Sequence, residues 1–218
     1  MLYSLVSFYR VPGVDHGGSY LYPSRSLVIV SWHDSSLTCL READGFDGTL
    51  ISMEYSTLNL NTTSHIYWTS LHANITPIAR SPTKDPFFVS RILDRGAHRV
   101  IVPYIRSSRD TRDAVNAAKY QPIGHCSAIS GLPHLQFRPL TSSIASPAIN
   151  AATMVIPTIE TLRAVKGAET IAAVPGVGFL LIRVNGIKAE MGIPGQYDAL
   201  RVHHAYMRLL DAGGQHGM

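Results

Sequence analysis

Residues 45–61 read GFDGTLISMEYSTLNLN, and the fold is worked outward from them. Gly45, Phe46, Asp47 and Gly48 are turn chemistry, because two glycines and an aspartate accept tight backbone bends. Residues 49–53 (TLISM) are an apolar, partly β-branched run, as expected of a strand buried on both faces. Glu54 and Tyr55 follow at once, and then a polar loop. Polar groups just beyond the C-terminal ends of parallel strands are where α/β folds assemble their chemistry.

The same alternation repeats along the chain. Residues 27–32 (LVIVSW) read as a strand, and Ser35 or Ser36 as the N-cap of a helix through Ala43. Residues 58–71 read as a helix, and 76–80 (TPIAR) as a short strand ending in a charge. Asp85 and Pro86 open a helix that Gly96 ends. Residues 99–105 (RVIVPYI) form a buried strand, and Ser108 caps the helix that follows it. Residues 121–148, rich in Pro, Gly and Ser, read as a long loop. Residues 154–160 (MVIPTIE) read as a strand ending in a carboxylate, followed by a helix to Ala173. A strand over 177–184 (VGFLLIRV) and an amphipathic helix over 197–212 complete the series. Strand and helix thus alternate six times, the pattern of βαβ units on a parallel sheet, either doubly wound or closed into a barrel. Residues 1–25 read as an irregular arm ahead of one domain over 26–218.

Composition narrows the function classes. Of 218 residues, 45% are hydrophobic and 16% charged, which supports a sizeable core and excludes disorder. The net charge is +4, but the 19 basic residues are scattered without a run or stripe, so no nucleic-acid partner is expected. No run approaches the roughly 18 apolar residues of a membrane span, and the first residues lack the layout of a signal peptide. Cys39 and Cys126 have no metal or CxxC spacing, which points to a reducing, cytoplasmic setting. No Gly-rich dinucleotide loop follows a strand, and Gly124-His125-Cys126-Ser127 is not a P-loop. His125 and His134 lie in the long loop as candidate bases.

Three stretches together resemble the HpcH/HpaI aldolase family of citrate-lyase-like, 2-keto-3-deoxy acid aldolases. GFDGTLISMEYSTLNL resembles the segment G-F-D-x-x-x-I-D-x-E-H-x-P. DRGAHRVIVPYIRSSRDTRDAVNAAKYQPIGHCS resembles D-x-G-A-x-x-V-x-V-P followed by Y-P-P-x-G-x-R-G. VIPTIETLRAVKGAETIAAVPGVGFLLIRVNGIKAEMGIPGQYD resembles I-E-T-x-E-A through V-P-G-V-D-x-x-x-I-G-P-x-D-L-S-x-x-M-G. The resemblance covers about residues 27–205, with a leaning to the fungal branch. It implies a TIM (β/α)8-type barrel, here expected to be truncated to about six βα units. It further implies a homo-oligomeric carbon–carbon lyase acting on a small 2-keto acid, such as pyruvate or oxaloacetate, through a divalent metal, Mg²⁺ or Mn²⁺.

The family's functional positions carry over unevenly. The resemblance makes Arg80 the keto-acid-binding arginine, Glu160 a metal ligand and Glu54 a retained site carboxylate. The family's Asp–His pair falls on Ser52 and Tyr55, so Tyr55 is the candidate proton carrier. The second metal carboxylate falls on Gly186, which weighs against tight binding of a hard cation. Arg183 brings a positive charge to the place of the metal, and the glutamine near it reads Thr158. The alternative is therefore a metal-free repurposed or catalytically impaired paralogue with a binding or regulatory role.

Overall fold

The computed structural model describes residues 48–128 and 131–218 in full, together with the backbone of two earlier strands. Seven strands form one sheet in chain order: β1 (Leu5–Phe8), β2 (Ser24–Ile29), β3 (Gly48–Ser52), β4 (Thr76–Arg80), β5 (Arg99–Ile105), β6 (Met154–Ile159) and β7 (Leu181–Ile182). β1 lies antiparallel on β2, and every later pair of neighbours is parallel. The helices are α1 (Leu60–His72), α2 (Pro86–Asp94), α3 (Ser108–Ala118), α4 (Ser142–Ala152), α5 (Leu162–Lys166), α6 (Ala168–Ala172), α7 (Val184–Glu190) and α8 (Leu200–Gln215). A sheet in which each strand pairs with its sequence neighbours winds in one direction, and strand twist curls it.

Strands β3 to β6 are largely buried on both faces, for different reasons. Leu50, Ile78, Ile101 and Ile156 meet on the inner face of the curl, with Met154, Phe179 and Leu181 against them. The intervening residues Ile51, Ala79, Val100, Val102 and Val155 pack outward against Tyr67, Val89, Ile92, Ala114 and Val115 of the helices. Burying one such Leu or Ile stabilises the fold by about 1.5–3 kcal/mol.

β4 and β5 have the bounds read from the sequence, and β3 and β6 shift by a residue or less at each end. Elsewhere the structure corrects the reading. Within the arm at 1–25, Leu5–Phe8 is a strand paired with β2. The strand expected at 27–32 begins at Ser24, and the helix expected through Ala43 lies outside the described residues. The α3 cap is Ser107, whose hydroxyl accepts from the Asp110 amide. The long loop contains α4 despite Pro147, because Ala145 and Ile149 are buried. Asn150 also pairs through both side-chain polar atoms with the Tyr120 backbone, at 2.8 and 3.0 Å. Buried Lys119 completes that anchor by donating to the Asn150 and Thr153 carbonyls at the C-terminal end of α4.

The helix expected up to Ala173 breaks at Gly167 into α5 and α6. The strand expected over 177–184 shortens to β7 with a single bridge at Val177. Gly178 explains that gap: a Cβ there would collide with Met154 Cγ and Sδ, so the chain is pressed onto a side chain at this point. Among the described residues no helix is long and apolar enough to cross a membrane.

At the N-terminal end of β5, His98 stacks on His134 with ring centroids 5.0 Å apart and 13° between planes. His134 Nε2 donates to the Ala97 carbonyl at 3.0 Å. Burial, then His134 and Arg99, lower His98 to about 4. Unfolded histidine titrates near 6.5. Between those two values the unfolded chain therefore takes up a proton that the folded chain does not, and stability falls as pH falls. Thermal melts across pH 7 to 4 are expected to show this decline, and His98→Phe, which keeps a stacked ring, is expected to flatten it.

Candidate active site

Side chains two apart on a strand share a face. Counting up by twos from the inner apolar layer gives Leu50, Ser52 and Glu54 from β3, and Ile78 and Arg80 from β4. The same count gives Ile156, Thr158 and Glu160 from β6, and Leu181 and Arg183 from β7. The inner face thus changes from hydrocarbon to charge as it reaches the C-terminal ends of the strands. Four of these residues, Glu54, Arg80, Glu160 and Arg183, form one ionic cluster.

Glu54 and Glu160 are buried, each 6% exposed. Arg80 Nη2 pairs with Glu54 Oε2. Arg183 Nη1 lies 3.3 Å from Glu54 Oε1 and 3.3 Å from Glu160 Oε2, and donates to the Tyr55 hydroxyl at 3.5 Å. Glu160 Oε1 accepts from the Tyr104 amide at 3.3 Å. Burial acts first against the Arg80 charge, and despite Glu54 its net direction is down. Burial also acts against Arg183, but its hydrogen bond to Tyr55 and the charges of Glu160 and Glu54 outweigh that and hold it above the usual arginine range.

Two buried polar groups on this inner face, Arg80 Nε and Thr158 Oγ1, have no hydrogen-bond partner among the described residues. Arg183 uses only Nη1 toward the described residues, and its side chain is 33% exposed. The cluster therefore keeps polar groups that no described residue uses.

Tyr55 and Tyr104 flank the cluster. Both have left-handed backbone, φ 60° and 56°, which costs an ordinary residue energy and concentrates at functional sites. The Tyr55 ring lies 5.8 Å from the Arg80 guanidinium and 5.1 Å from that of Arg183. Tyr104 is raised above the usual tyrosine range, first by its hydrogen bond to Tyr55. Ser52 acts locally, where its hydroxyl donates to the Glu54 carbonyl at 3.1 Å and fixes the turn that carries Glu54.

All four residues singled out from the sequence, Glu54, Tyr55, Arg80 and Glu160, meet here. Tyr104 was missed; its signal is a backbone amide, which a sequence does not display. The loop histidines do not join: His134 stacks at the opposite end of the strands, and His125 pairs with Gln121 at 2.9 Å.

Among the described residues the groups at this site do not offer the open set of oxygen ligands that a divalent metal needs, and Glu160, expected as its ligand, is paired with Arg183 and the Tyr104 amide. A hard cation needs several oxygen ligands with free lone pairs. The Arg183 guanidinium stands between the two carboxylates, 3.3 Å from Glu54 Oε1 and 3.3 Å from Glu160 Oε2, so its positive charge fills the place a cation would need. At Gly186 a Cβ would lie 2.6 Å from the Glu160 carbonyl oxygen, so no carboxylate can be carried there. Among the described residues no group of three or more His, Cys, Asp or Glu side chains is arranged to hold a metal.

The model of the HpcH/HpaI aldolase/citrate lyase family matches residues 41–218. The chain belongs to this family. It is 35% identical over 176 residues to the 4-hydroxy-4-methyl-2-oxoglutarate aldolase tasA of Hapsidospora irregularis, covering 79% of this chain and 65% of that protein. It is 35% identical over 156 residues to the corresponding aldolase cghB of Chaetomium globosum, covering 71% and 58%. The chain therefore spans about three fifths of the length of the curated relatives it matches. Among solved structures, an HpcH/HpaI aldolase/citrate lyase family protein of Burkholderia cenocepacia superposes with a TM-score of 0.76 at 28% identity, over 88% of this chain and 76% of the other. An HpcH/HpaI aldolase of Desulfitobacterium hafniense superposes with a TM-score of 0.82 at 22% identity, over 88% and 74%, which shows the fold.

Gly186 gives a direct check on this geometry. Gly186→Ala is expected to destabilise the protein by about 1–3 kcal/mol, since the new methyl group meets a backbone carbonyl that cannot swing away. Urea unfolding of the variant beside the parent measures it.

Proposed function

We propose that the protein is a carbon–carbon lyase of the keto-acid aldolase class, cleaving a small 4-hydroxy-2-keto acid to release pyruvate. The observation that carries this reading is Arg80. Its guanidinium stands at the C-terminal end of β4, oriented by Glu54, with a buried Nε that has no acceptor among the described residues. A keto-acid carboxylate is the complementary partner, and charge-assisted bonds of this kind are the strong ones. The 4-hydroxy-4-methyl-2-oxoglutarate aldolases among the relatives support the choice of substrate class.

The chemistry needs a proton carried out and back. The C4 hydroxyl gives up its proton, the C3–C4 bond breaks, and its electron pair forms the enolate of pyruvate while C4 becomes a carbonyl. The enolate carbon then takes the proton back, so the reaction gains and loses none. Tyr55 is assigned that transfer, because its exposed hydroxyl stands over the cluster beside Arg183. Glu54 holds Arg80 in place. The family's divalent metal enters no step, since the ligand set does not accommodate it.

The curled parallel sheet is taken as an arc of a (β/α)8-type barrel. The same reading takes the protein as cytoplasmic and homo-oligomeric. Two cysteines in 218 residues support the first, and an apolar groove lined by Phe179, Ile182, Leu209 and Leu210 supports the second.

The test is pyruvate release from 4-hydroxy-4-methyl-2-oxoglutarate. Arg80→Ala is expected to abolish it, and Tyr55→Phe to lower kcat by about 100-fold or more with little change in KM. Full activity in Arg80→Ala would make that arginine structural and end the reading.

A further inference from the structure

We propose that Arg183 takes the place of the divalent cation in this chain, so that Arg80 and Arg183 bind the keto acid and balance its enolate charge without a metal. The inference rests on the keto-acid reading of the site and names the group that neutralises the substrate.

Three observations carry it. Arg183 Nη1 lies 3.3 Å from a carboxylate oxygen of both Glu54 and Glu160, the place between two acidic groups that a cation would fill. Gly186 cannot carry a third carboxylate, because the Glu160 carbonyl oxygen occupies the space of its Cβ. α7 is also fixed in this pose: Lys188 is buried with its ammonium 2.8 Å from the centre of the Tyr197 ring, and the Tyr197 hydroxyl donates to Asn185 at 3.0 Å. Arg183 immediately precedes α7, so the helix that would bring a metal ligand instead holds a guanidinium at the site.

The charges then balance. Glu54 and Glu160 offset the two arginines, so neither guanidinium stands buried and alone. Arg183 turns one nitrogen to the carboxylates and keeps Nε and Nη2 without acceptors among the described residues. Those donors, with Arg80 Nε and Thr158 Oγ1, match a planar anion that has a carboxylate next to a keto or enolate oxygen. A guanidinium holds such a pair of oxygens through a fixed fork, whereas a lysine ammonium is a point charge.

The experiment uses oxalate, a planar mimic of pyruvate enolate, with calorimetry and the electron paramagnetic resonance signal of Mn²⁺ on chelator-treated full-length chain. Oxalate is expected to bind equally well with and without Mn²⁺, and the Mn²⁺ signal is expected to stay that of the free ion. Arg183→Ala is expected to weaken oxalate by about 10- to 100-fold. Should that variant not fold, Arg183→Lys is expected to melt near the parent temperature and still bind several-fold more weakly. Oxalate binding that appears only with Mn²⁺, a quenched Mn²⁺ signal, or full oxalate affinity in the Arg183 variants overturns the proposal. Metal-free oxalate binding without pyruvate release from the hydroxy keto acid would remove the lyase reading and leave the role of Arg183 standing.

Discussion

Two carboxylates buried at the ends of strands in one sheet favour a cation standing between them. That constraint organises the inner face of this sheet. Glu54 and Glu160 come from β3 and β6, strands separated by β4 and β5, and Arg183 reaches both from the end of β7. Arg80, from β4, takes the remaining Glu54 oxygen. The cluster therefore ties four strand ends together, above the apolar layer of the inner face.

The same cluster explains substitutions that look like damage when compared with the family pattern. Serine at 52 cannot orient an imidazole, but it fixes the Glu54 turn. Glycine at 186 cannot bind a metal, but no other residue fits against the Glu160 carbonyl. Arginine at 183 puts a positive charge where the family keeps its ion, and it satisfies both acids. Threonine at 158 is buried, with a hydroxyl that has no partner among the described residues. In the proposed reading, these residues neutralise charge with a guanidinium in place of a metal.

Much of this was legible in the sequence because it follows from period and from strand ends. The runs at 76–80 and 99–105 are apolar, β-branched and cleanly bounded, and they are β4 and β5. Arg80, Glu54 and Glu160 stand where strand tips put chemistry. What was illegible depends on distant partners. The Ser- and Ala-rich segment with Pro147 reads as loop, and it is a helix because Asn150 and Ile149 find partners 30 residues away around Tyr120. The run at 177–184 reads as one strand, and contact between Gly178 and Met154 leaves it two residues of ladder. The Tyr104 amide that completes the Glu160 site belongs to a left-handed residue inside a strand, which no pattern of side chains announces.

The most direct measurement is a crystal structure of the chain grown with Mn²⁺ and pyruvate, with anomalous diffraction collected at the manganese edge. The account predicts no anomalous peak between Glu54 and Glu160, with the Arg183 guanidinium lying there and pyruvate against Arg80 and Arg183. A manganese peak coordinated by Glu160, with Arg183 turned away, would contradict it.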